Sequence, residues 1–271
     1  MNRESNSYTI IYATVMVVLV AVALAFTAQA LKEPQSNNVK IDKMQQILRS
    51  VRIDVQDKTS VIGKYKQVIK KELLVRLDGS IQESFEGDLI ANNKAFDLNT
   101  ANMYKEMHKQ GNSELAMPLY VAEVEGDTKY IVPLNGAGLW GPIWGYISIN
   151  EDGNTVYGAD FGHQGETPGL GAEITTAKFI GQFADKHLFS EEEFLSIAVV
   201  KPGKKPINEN QSYVDGISGG TLTSNGVNNM LQDCIKPFVA FLSKRHQSSA
   251  TSDVSPQGEE VVADSLQIEK N

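Results

Sequence analysis

The chain has 271 residues, of which 41% are hydrophobic and 21% charged, enough for one good-sized folded domain or two small ones. Its net charge of −8, without a basic cluster interleaved with aromatic residues, argues against nucleic-acid binding. The single cysteine, Cys234, excludes an internal disulfide framework and a cysteine-ligated cluster or haem, and the 4 histidines have no metal-ligand spacing. Any redox cofactor is therefore expected to be organic, a flavin or a nicotinamide.

The N-terminal segment is predicted to be a retained transmembrane anchor, so a lipid bilayer is an expected partner. No charged residue lies between Glu4 and Lys32, and the apolar run covers residues 8–31. As a helix this run is roughly 36 Å long, enough to cross a hydrocarbon layer of ~30 Å. Ala28-Gln29-Ala30 is similar to a signal-peptide cleavage site, but signal h-regions have only ~7–15 residues. The flanking charges lean slightly against export of the following domain and are too few to decide orientation.

Hydrophobic periodicity divides the remaining chain into a membrane-proximal region (32–115), a folded domain (116–245) and an acidic tail (246–271) predicted to be disordered. Helical spacing of apolar residues predicts a helix over 41–52, and a region of mixed character follows. Alternation predicts two hairpins, over 119–132 and 144–161. A helix over 171–186, a strand over 194–201 and a helix from Thr221, kinked at Pro237, follow.

Strands that cluster before helices indicate an α+β fold rather than an alternating α/β fold. We therefore expect an antiparallel sheet with packed helices, preceded by one transmembrane helix.

Two glycine-rich segments match motifs that their context argues against. Residues 136–141 have the glycine spacing of a dinucleotide-binding loop, but Pro142 and a β-pattern follow where that loop needs a helix. Residues 216–220 have the spacing of a hydrolase nucleophile elbow around Ser218. Only about fifty residues follow, and their one histidine, His246, opens the polar tail. Neither a Rossmann site nor a serine hydrolase is therefore expected.

The segment 215–224, with sequence DGISGGTLTS, carries the strongest chemical signal. Three glycines allow close backbone approach, and four hydroxyl side chains collect where a helix begins. A helix N-terminus offers free N–H groups and a partial positive charge, which suits a phosphate. A plain helix start capped by serine or threonine has the same composition, so these residues alone leave both interpretations open.

This segment resembles the flavinylation motif Asp-x-x-Ser/Thr-Gly-Ala-Thr of the FMN-binding domain family. In that family a flavin transferase joins the threonine hydroxyl to the phosphate of FMN as a phosphodiester. The resemblance implies covalent FMN on Thr221, with Asp215, Ser218 and Gly219 as its recognised surroundings. Gly220 departs from the motif, which has alanine there. A second segment, 165–171, resembles the flavin-lining loop of the family and contributes Glu166, Thr167, Leu170 and Gly171; Trp140 and Lys201 are further candidate contacts.

Together with the anchor and residues 134–141, these segments resemble the C subunits of Na+-translocating NADH:quinone reductases. The resemblance implies an electron-relay protein of a bacterial inner-membrane complex, with the FMN domain on the outer, periplasmic face and other subunits of the complex as partners. No NADH site of its own is expected.

Two alternatives remain open at the level of sequence. One is the related G subunit of an Rnf-type electron-transport complex, which carries the same motif; residues 134–141 favour the C subunit of the sodium-translocating complex. The other is an anchored module that binds a phosphate ligand without redox chemistry. Visible absorbance that stays with the denatured chain would separate a flavoprotein from such a module.

Overall fold

The structure is a computed structural model that describes residues 6–110 and 115–252. The helices are α1 (Asn6–Ser50), α2 (Val61–Val68), α3 (Lys94–Asp97), α4 (Thr100–Gln110), α5 (Ala177–Ile180), α6 (Thr221–Ile235) and α7 (Val239–Ser252). The strands are β1 (Ile69–Arg76), β2 (Ile81–Glu86), β3 (Ala116–Val124), β4 (Asp127–Ala137), β5 (Pro142–Asn150), β6 (Val156–His163), β7 (Phe189–Ser190), β8 (Glu193–Phe194), β9 (Ala198–Val200) and β10 (Tyr213–Asp215).

The first helix is continuous from the apolar N-terminal run into the folded domain. The sequence predicted an anchor and a separate helix over 41–52, but α1 joins them in 45 residues, about 68 Å of helix. Pro34 lies within it at an exposed position, where water can satisfy the carbonyl group that the proline leaves unpaired. Among the described residues, α1 is the one helix long and apolar enough to cross a membrane. Its buried positions lie near its C-terminal end, from Met44 onward, where it packs on the domain.

A six-stranded antiparallel sheet forms the centre of the domain, in the order β2-β1-β3-β4-β5-β6. Successive side chains point to opposite faces, so Leu119 and Tyr120 enter different hydrophobic clusters, as do Tyr130 and Ile131. Helices α4, α6 and α7 pack on one face, whereas α1, α2 and α3 pack on the other. The predicted α+β class with an antiparallel sheet is confirmed, and both predicted hairpins are present as β3–β4 and β5–β6.

The sheet begins before the domain boundary predicted at Ala116. Strand β1 pairs with β3 along most of its length, for example at Leu73 and Leu119, and its other edge holds β2. Residues 69–86 are therefore part of the same sheet and not of a separate membrane-proximal unit. Their pattern misled the prediction because Glu72 is buried, which breaks the apolar alternation expected of a strand.

Three other elements differ from the sequence prediction. The helix predicted over 171–186 is divided into a 3-10 turn (Gly171–Thr175), α5 and a second 3-10 turn (Gly181–Phe183). The strand predicted over 194–201 contains only β8 and β9. A 3-10 turn at Lys236–Phe238 separates α6 from α7, at the kink expected from Pro237. Helix α7 continues to Ser252, and the rest of the predicted tail lies outside the described residues.

Packing between α6 and the sheet positions the start of this helix. Close contacts between Gly136 and Met230 and between Gly226 and Ala137 let α6 lie directly against β4. The N-terminus of α6 is thereby held beside the turn that joins β4 to β5. The end of β6 lies at the same edge because β6 pairs antiparallel with β5.

Candidate functional site

Three glycine-rich segments converge at this end of the sheet. They are the turn 138–141 between β4 and β5, the loop 164–170 after β6, and the segment 216–220 between β10 and α6. A cleft of about 140 Å³ is lined by residues of all three segments and by the first residues of α6. Adjoining clefts of about 240 and 540 Å³ lie along the segment 216–220. The predicted dinucleotide-like glycines thus form a turn between antiparallel strands, without a helix after them.

Thr221 is the first residue of α6 and its side chain is exposed. The preceding residue, Gly220, is the N-cap, and no side chain of the described residues caps this helix. The first N–H groups of a helix have no intrahelical partners, and the helix dipole gives this end a partial positive charge. Between the two interpretations that the sequence left open, the uncapped start is the arrangement that suits an anion.

The four hydroxyl groups of segment 215–224 have different environments. Thr223 is 1% exposed and donates to Glu166 Oε2 at 2.6 Å, and Ser224 is 5% exposed and accepts from the backbone N–H of Ile217 at 2.8 Å. Ser218 and Thr221 are exposed. The two buried hydroxyls therefore organise the loop, whereas the two exposed hydroxyls are accessible to reagents in the surrounding clefts.

Two adjacent glycines shape the approach to Thr221. Gly219 has φ +76°, a left-handed conformation that favours glycine, and a Cβ atom there would lie 2.8 Å from Leu170 Cδ2. Gly220 has φ −105°, which alanine adopts without strain. A Cβ atom at position 220 would lie 3.1 Å from the Ile217 side chain, so alanine needs a shift of a few tenths of an ångström. The departure from the motif at this position is therefore sterically small.

The backbone of Asp215 is held by a side chain from outside the motif. Gln182 donates to the carbonyl oxygen of Asp215 at 3.1 Å and accepts from its N–H at 2.9 Å. This pair of bonds extends the pairing of β10 and fixes the start of the segment. The Asp215 side chain is exposed and accepts from the N–H of Gly203 at 3.3 Å.

Glu166 and Thr167 are neighbours with opposite environments. Glu166 is 5% exposed and directs both carboxylate oxygens at protein donors, one of them the backbone N–H of Trp140 at 2.9 Å. Burial alone would raise the pKa of Glu166, but hydrogen bonds from Thr223 and from the backbone of Trp140 outweigh it and lower the pKa. Thr167 is exposed, and its carbonyl oxygen accepts from the N–H groups of Leu170 and Ala172.

Several large apolar side chains near Thr221 are exposed to solvent. Leu139, Trp140, Leu170 and Leu222 all line the small cleft, and each is 42% exposed or more. Large exposed apolar patches mark binding surfaces rather than ordinary protein surface. Lys201 lines the adjoining cleft together with Thr221 and supplies a positive charge there.

All the site residues predicted from the sequence line these three clefts. Trp140, Glu166, Thr167, Leu170, Gly171, Gly219, Gly220 and Thr221 line the smallest; Lys201 and Ser218 line the second; Asp215 lines the largest. Sequence reasoning assigned no site role to Leu139, Leu222, Thr223 or Gln182, although it included Thr223 among the hydroxyls at the helix start. Leu222 carried a usable signal because it is apolar yet lies outside the apolar stripe of α6, whereas nothing local in the sequence indicates Gln182.

The fold and this site define an FMN-binding protein. A family model described as "FMN-binding domain" matches residues 138–236, which include all three converging segments. The chain is 30% identical over 233 residues to the C subunit of the Na(+)-translocating NADH-quinone reductase of Vibrio anguillarum, covering 83% of this chain and 89% of that protein. This chain belongs to the family of these C subunits, part of an oxidoreductase complex.

Solved structures give the same result. The C subunit of the Na(+)-translocating NADH-quinone reductase from Parabacteroides distasonis is 46% identical, with a TM-score of 0.69, and the match covers 78% of this chain and 96% of that one. NqrC of Shewanella oneidensis matches with a TM-score of 0.57 and covers 78% of this chain and 99% of that one. At 23% identity, this second likeness shows the shared fold alone.

The residues present fit FMN. Its anionic phosphate matches the uncapped start of α6, its polar chain matches the glycine-lined backbone, and its ring system matches the exposed apolar side chains.

Proposed function

We propose that this chain carries FMN joined by a phosphodiester to Thr221 and relays electrons within a Na+-translocating NADH:quinone reductase. The observation that carries the proposal is the position of the Thr221 hydroxyl. It is exposed at the uncapped N-terminus of α6, where the clefts meet, while its neighbours Thr223 and Ser224 are buried and hydrogen-bonded. A hydroxyl that is accessible and next to an anion site suits attachment to a phosphate.

The surroundings of Thr221 support the phosphate end of the cofactor. The N–H groups of the first turn of α6 point toward the site and offer hydrogen bonds to phosphate oxygens. Lys201 lines the same cleft and reduces the electrostatic cost of holding a negative charge. We expect a flavin transferase to recognise Asp215, Ser218 and Gly219. Asp215 and Ser218 are exposed and therefore accessible to it.

The apolar side chains support the ring end. We propose that Leu139, Trp140, Leu170 and Leu222 cover the ring system and exclude water from it, with Thr167 placed for a polar contact. When bound, FMN supplies the capacity to accept and donate electrons, and the protein supplies binding, orientation and electrostatic tuning. The covalent link prevents loss of the cofactor during turnover.

The long helix supports a membrane location. We propose that residues 8–31 of α1 anchor the chain in a bacterial inner membrane by a single pass, with the FMN domain on the periplasmic face. The other subunits of the reductase are the expected partners, and NADH is expected to react elsewhere in the complex. The Vibrio and Parabacteroides relatives are both C subunits of the sodium-translocating reductase, which favours this complex over an Rnf-type complex.

Covalent attachment is tested by co-expression of the full-length chain with a flavin transferase. The purified chain should gain the mass of FMN less one water, because the threonine hydroxyl replaces one hydroxyl of the phosphate, and it should fluoresce in a denaturing gel. Thr221→Val keeps the side-chain shape and removes the hydroxyl, so it should lose the label. Thr223→Val removes a hydroxyl from the same helical turn and should still reach full labelling after long incubation, although more slowly than wild type because its bond to Glu166 is lost. The opposite result for the two variants would overturn the assignment.

The relay function is tested in the assembled complex. Complexes with Thr221→Val should lose sodium-stimulated quinone reduction while NADH is still oxidised with an artificial acceptor. Unchanged quinone reduction in a complex that lacks this flavin would refute the relay. If the wild-type chain binds a phosphate ligand and its denatured form has no visible absorbance, the alternative of a binding module without redox chemistry is correct.

A further inference from the structure

One buried carboxylate joins the three segments of the site. Glu166 Oε1 accepts from the backbone N–H of Trp140 at 2.9 Å. Glu166 Oε2 accepts from the Thr223 hydroxyl at 2.6 Å. The backbone N–H of Glu166 is directed at His163 Nδ1 at 3.2 Å, which ties its own loop to the end of β6. The turn 138–141, the loop 164–170 and the first turn of α6 therefore share one hub.

Gly138 and Gly171 lie close to the two oxygens of the Glu166 carboxylate. A Cβ atom at Gly138 would overlap Glu166 Oε1, and a Cβ atom at Gly171 would overlap Glu166 Oε2. The carboxylate is the nearest group at both positions; a Cβ atom would also lie 3.0 Å from Ile143 Cγ2 at Gly138 and 2.5 Å from Thr223 Oγ1 at Gly171. The turn and the loop close on Glu166 from both sides.

The chemistry of the group suits this position. An ionised carboxylate only accepts hydrogen bonds, and each group bonded to it here is a donor. Hydrogen bonds to a charged acceptor are stronger than those between neutral groups. A negative charge beside the N-terminus of α6 is also favourable to the helix dipole. Because both oxygens are directed at protein donors, the side chain is not aimed at the open cleft.

We propose that Glu166 is a positioning residue, which sets the place of Thr221 against the turn 138–141, rather than a ligand of the flavin. Thr223 lies two residues after Thr221 in the same helical turn, so the bond from Thr223 to Glu166 holds the backbone that carries the Thr221 hydroxyl. The bond from the Trp140 N–H to Glu166 holds the turn 138–141, which lines the cleft, in a fixed position relative to the start of α6. The inference rests on the proposed attachment of FMN to Thr221.

The first arm of the test needs no flavin and uses the full-length chain produced without a flavin transferase. Gly138→Ala should lower the melting temperature when Glu166 is present, because the added methyl group overlaps the carboxylate. The same substitution in a Glu166→Ala chain should cost less than half as much, because the nearest contact, with Glu166 Oε1, is then removed and the next one, with Ile143 Cγ2, is at 3.0 Å. Additive effects of the two substitutions would overturn the assignment of Glu166 as the hub.

The second arm measures the initial rate of flavin attachment at a temperature well below unfolding of every variant. Glu166→Ala should attach flavin roughly tenfold more slowly or worse, because small displacements of a reacting group have large effects on rate. Glu166→Gln should be intermediate, since its amide can accept from Trp140 and donate to the Thr223 oxygen.

The matched control is Asp152→Ala. The Asp152 carboxylate also accepts from two backbone N–H groups, at 2.9 Å each, but in the turn between β5 and β6 at the opposite end of these strands. This variant should lose stability while attaching flavin at the wild-type rate. Equal rates for Glu166→Gln, Glu166→Ala and wild type, or an equal loss of rate in Asp152→Ala, would refute the positioning role. Absence of flavin on the wild-type chain would instead refute the proposed function, while the first arm would still decide whether Glu166 is the hub.

Discussion

The ion pair between Arg49 and Asp160 gives the most quantitative prediction for this fold. Arg49, at the end of α1, donates from Nε and Nη2 to the two carboxylate oxygens of Asp160 in β6, each at 3.0 Å. The side chain of Asp160 is 9% exposed and that of Arg49 is 38% exposed. This pair links the long helix to β6, the strand that precedes the loop 164–170. Arg49→Met removes the charge and keeps the aliphatic length, so Asp160 is left as an uncompensated, nearly buried charge.

The expected loss of stability in Arg49→Met follows from the environment of the Arg49 and Asp160 side chains. Removing one partner of a fully buried pair costs about 3–5 kcal/mol. Water can reach the Arg49 side of this pair, so we expect a smaller loss, about 2–3 kcal/mol in the free energy of unfolding. For a domain of this size that corresponds to a drop in melting temperature of roughly 5–10 °C.

The loss of stability caused by Arg49→Met should be larger at neutral pH than at acidic pH. Burial raises the pKa of Asp160 above its ordinary value, although the hydrogen bonds and charge of Arg49 oppose this. An acid with a raised pKa binds its proton more tightly in the folded state, so acidification through that range favours folding. Without Arg49 the pKa rises further. The difference in stability between Arg49→Met and wild type should therefore be largest at neutral pH and shrink as acidification protonates Asp160.

The assay is thermal unfolding of the full-length chain in detergent, followed by near-ultraviolet circular dichroism at neutral pH and at an acidic pH. Arg52→Met is the matched control, because the exposed Arg52 guanidinium only stacks on the Tyr157 ring at 4.4 Å and should contribute about 0.5–1 kcal/mol. The double variant Arg49→Met/Asp160→Asn should recover most of the stability. A loss that is equal at both pH values, or a double variant no more stable than Arg49→Met, would refute this reasoning.

Three further predictions concern the cofactor, the anchor and the buried thiol. Thr167→Ala should keep its flavin and its melting temperature but shift the midpoint potential, since a polar contact of ~1 kcal/mol corresponds to about 40 mV for one electron; an unchanged potential in redox titration would remove Thr167 from the site. The mature chain should retain residues 8–31, and N-terminal sequencing that began at Leu31 would make the protein a cleaved, exported one. Burial raises the pKa of the Cys234 thiol to about 12, so iodoacetamide at about pH 8 should modify it only after unfolding, and rapid labelling of the native chain would contradict its packing.

The local sequence determined those features whose signal lies within a few residues. The apolar run of 8–31, the alternation in β3–β6 and the hydroxyl-rich start of α6 could each be read from neighbouring positions, because helix and strand periodicities are local. The candidate FMN residues came from the resemblance to the FMN-binding domain family, and most of them lie in two short glycine-rich segments, 165–171 and 215–224. Local patterns also predicted the break at Pro237.

Only the tertiary structure decided which distant groups meet. The strand β1 could not be assigned from its pattern because buried Glu72 is compensated by Tyr65, Ala91 and Asn93, whose side-chain or backbone groups donate to it. The bonds from Gln182 to Asp215 span 33 residues, and the bond from Thr223 to Glu166 spans 57. The resemblance of segment 165–171 implied Glu166 as a flavin contact, and only the structure shows that both of its carboxylate oxygens accept from protein donors. Burial of a polar group is favourable only where partners are supplied, and the packing of α6 on the sheet supplies them here.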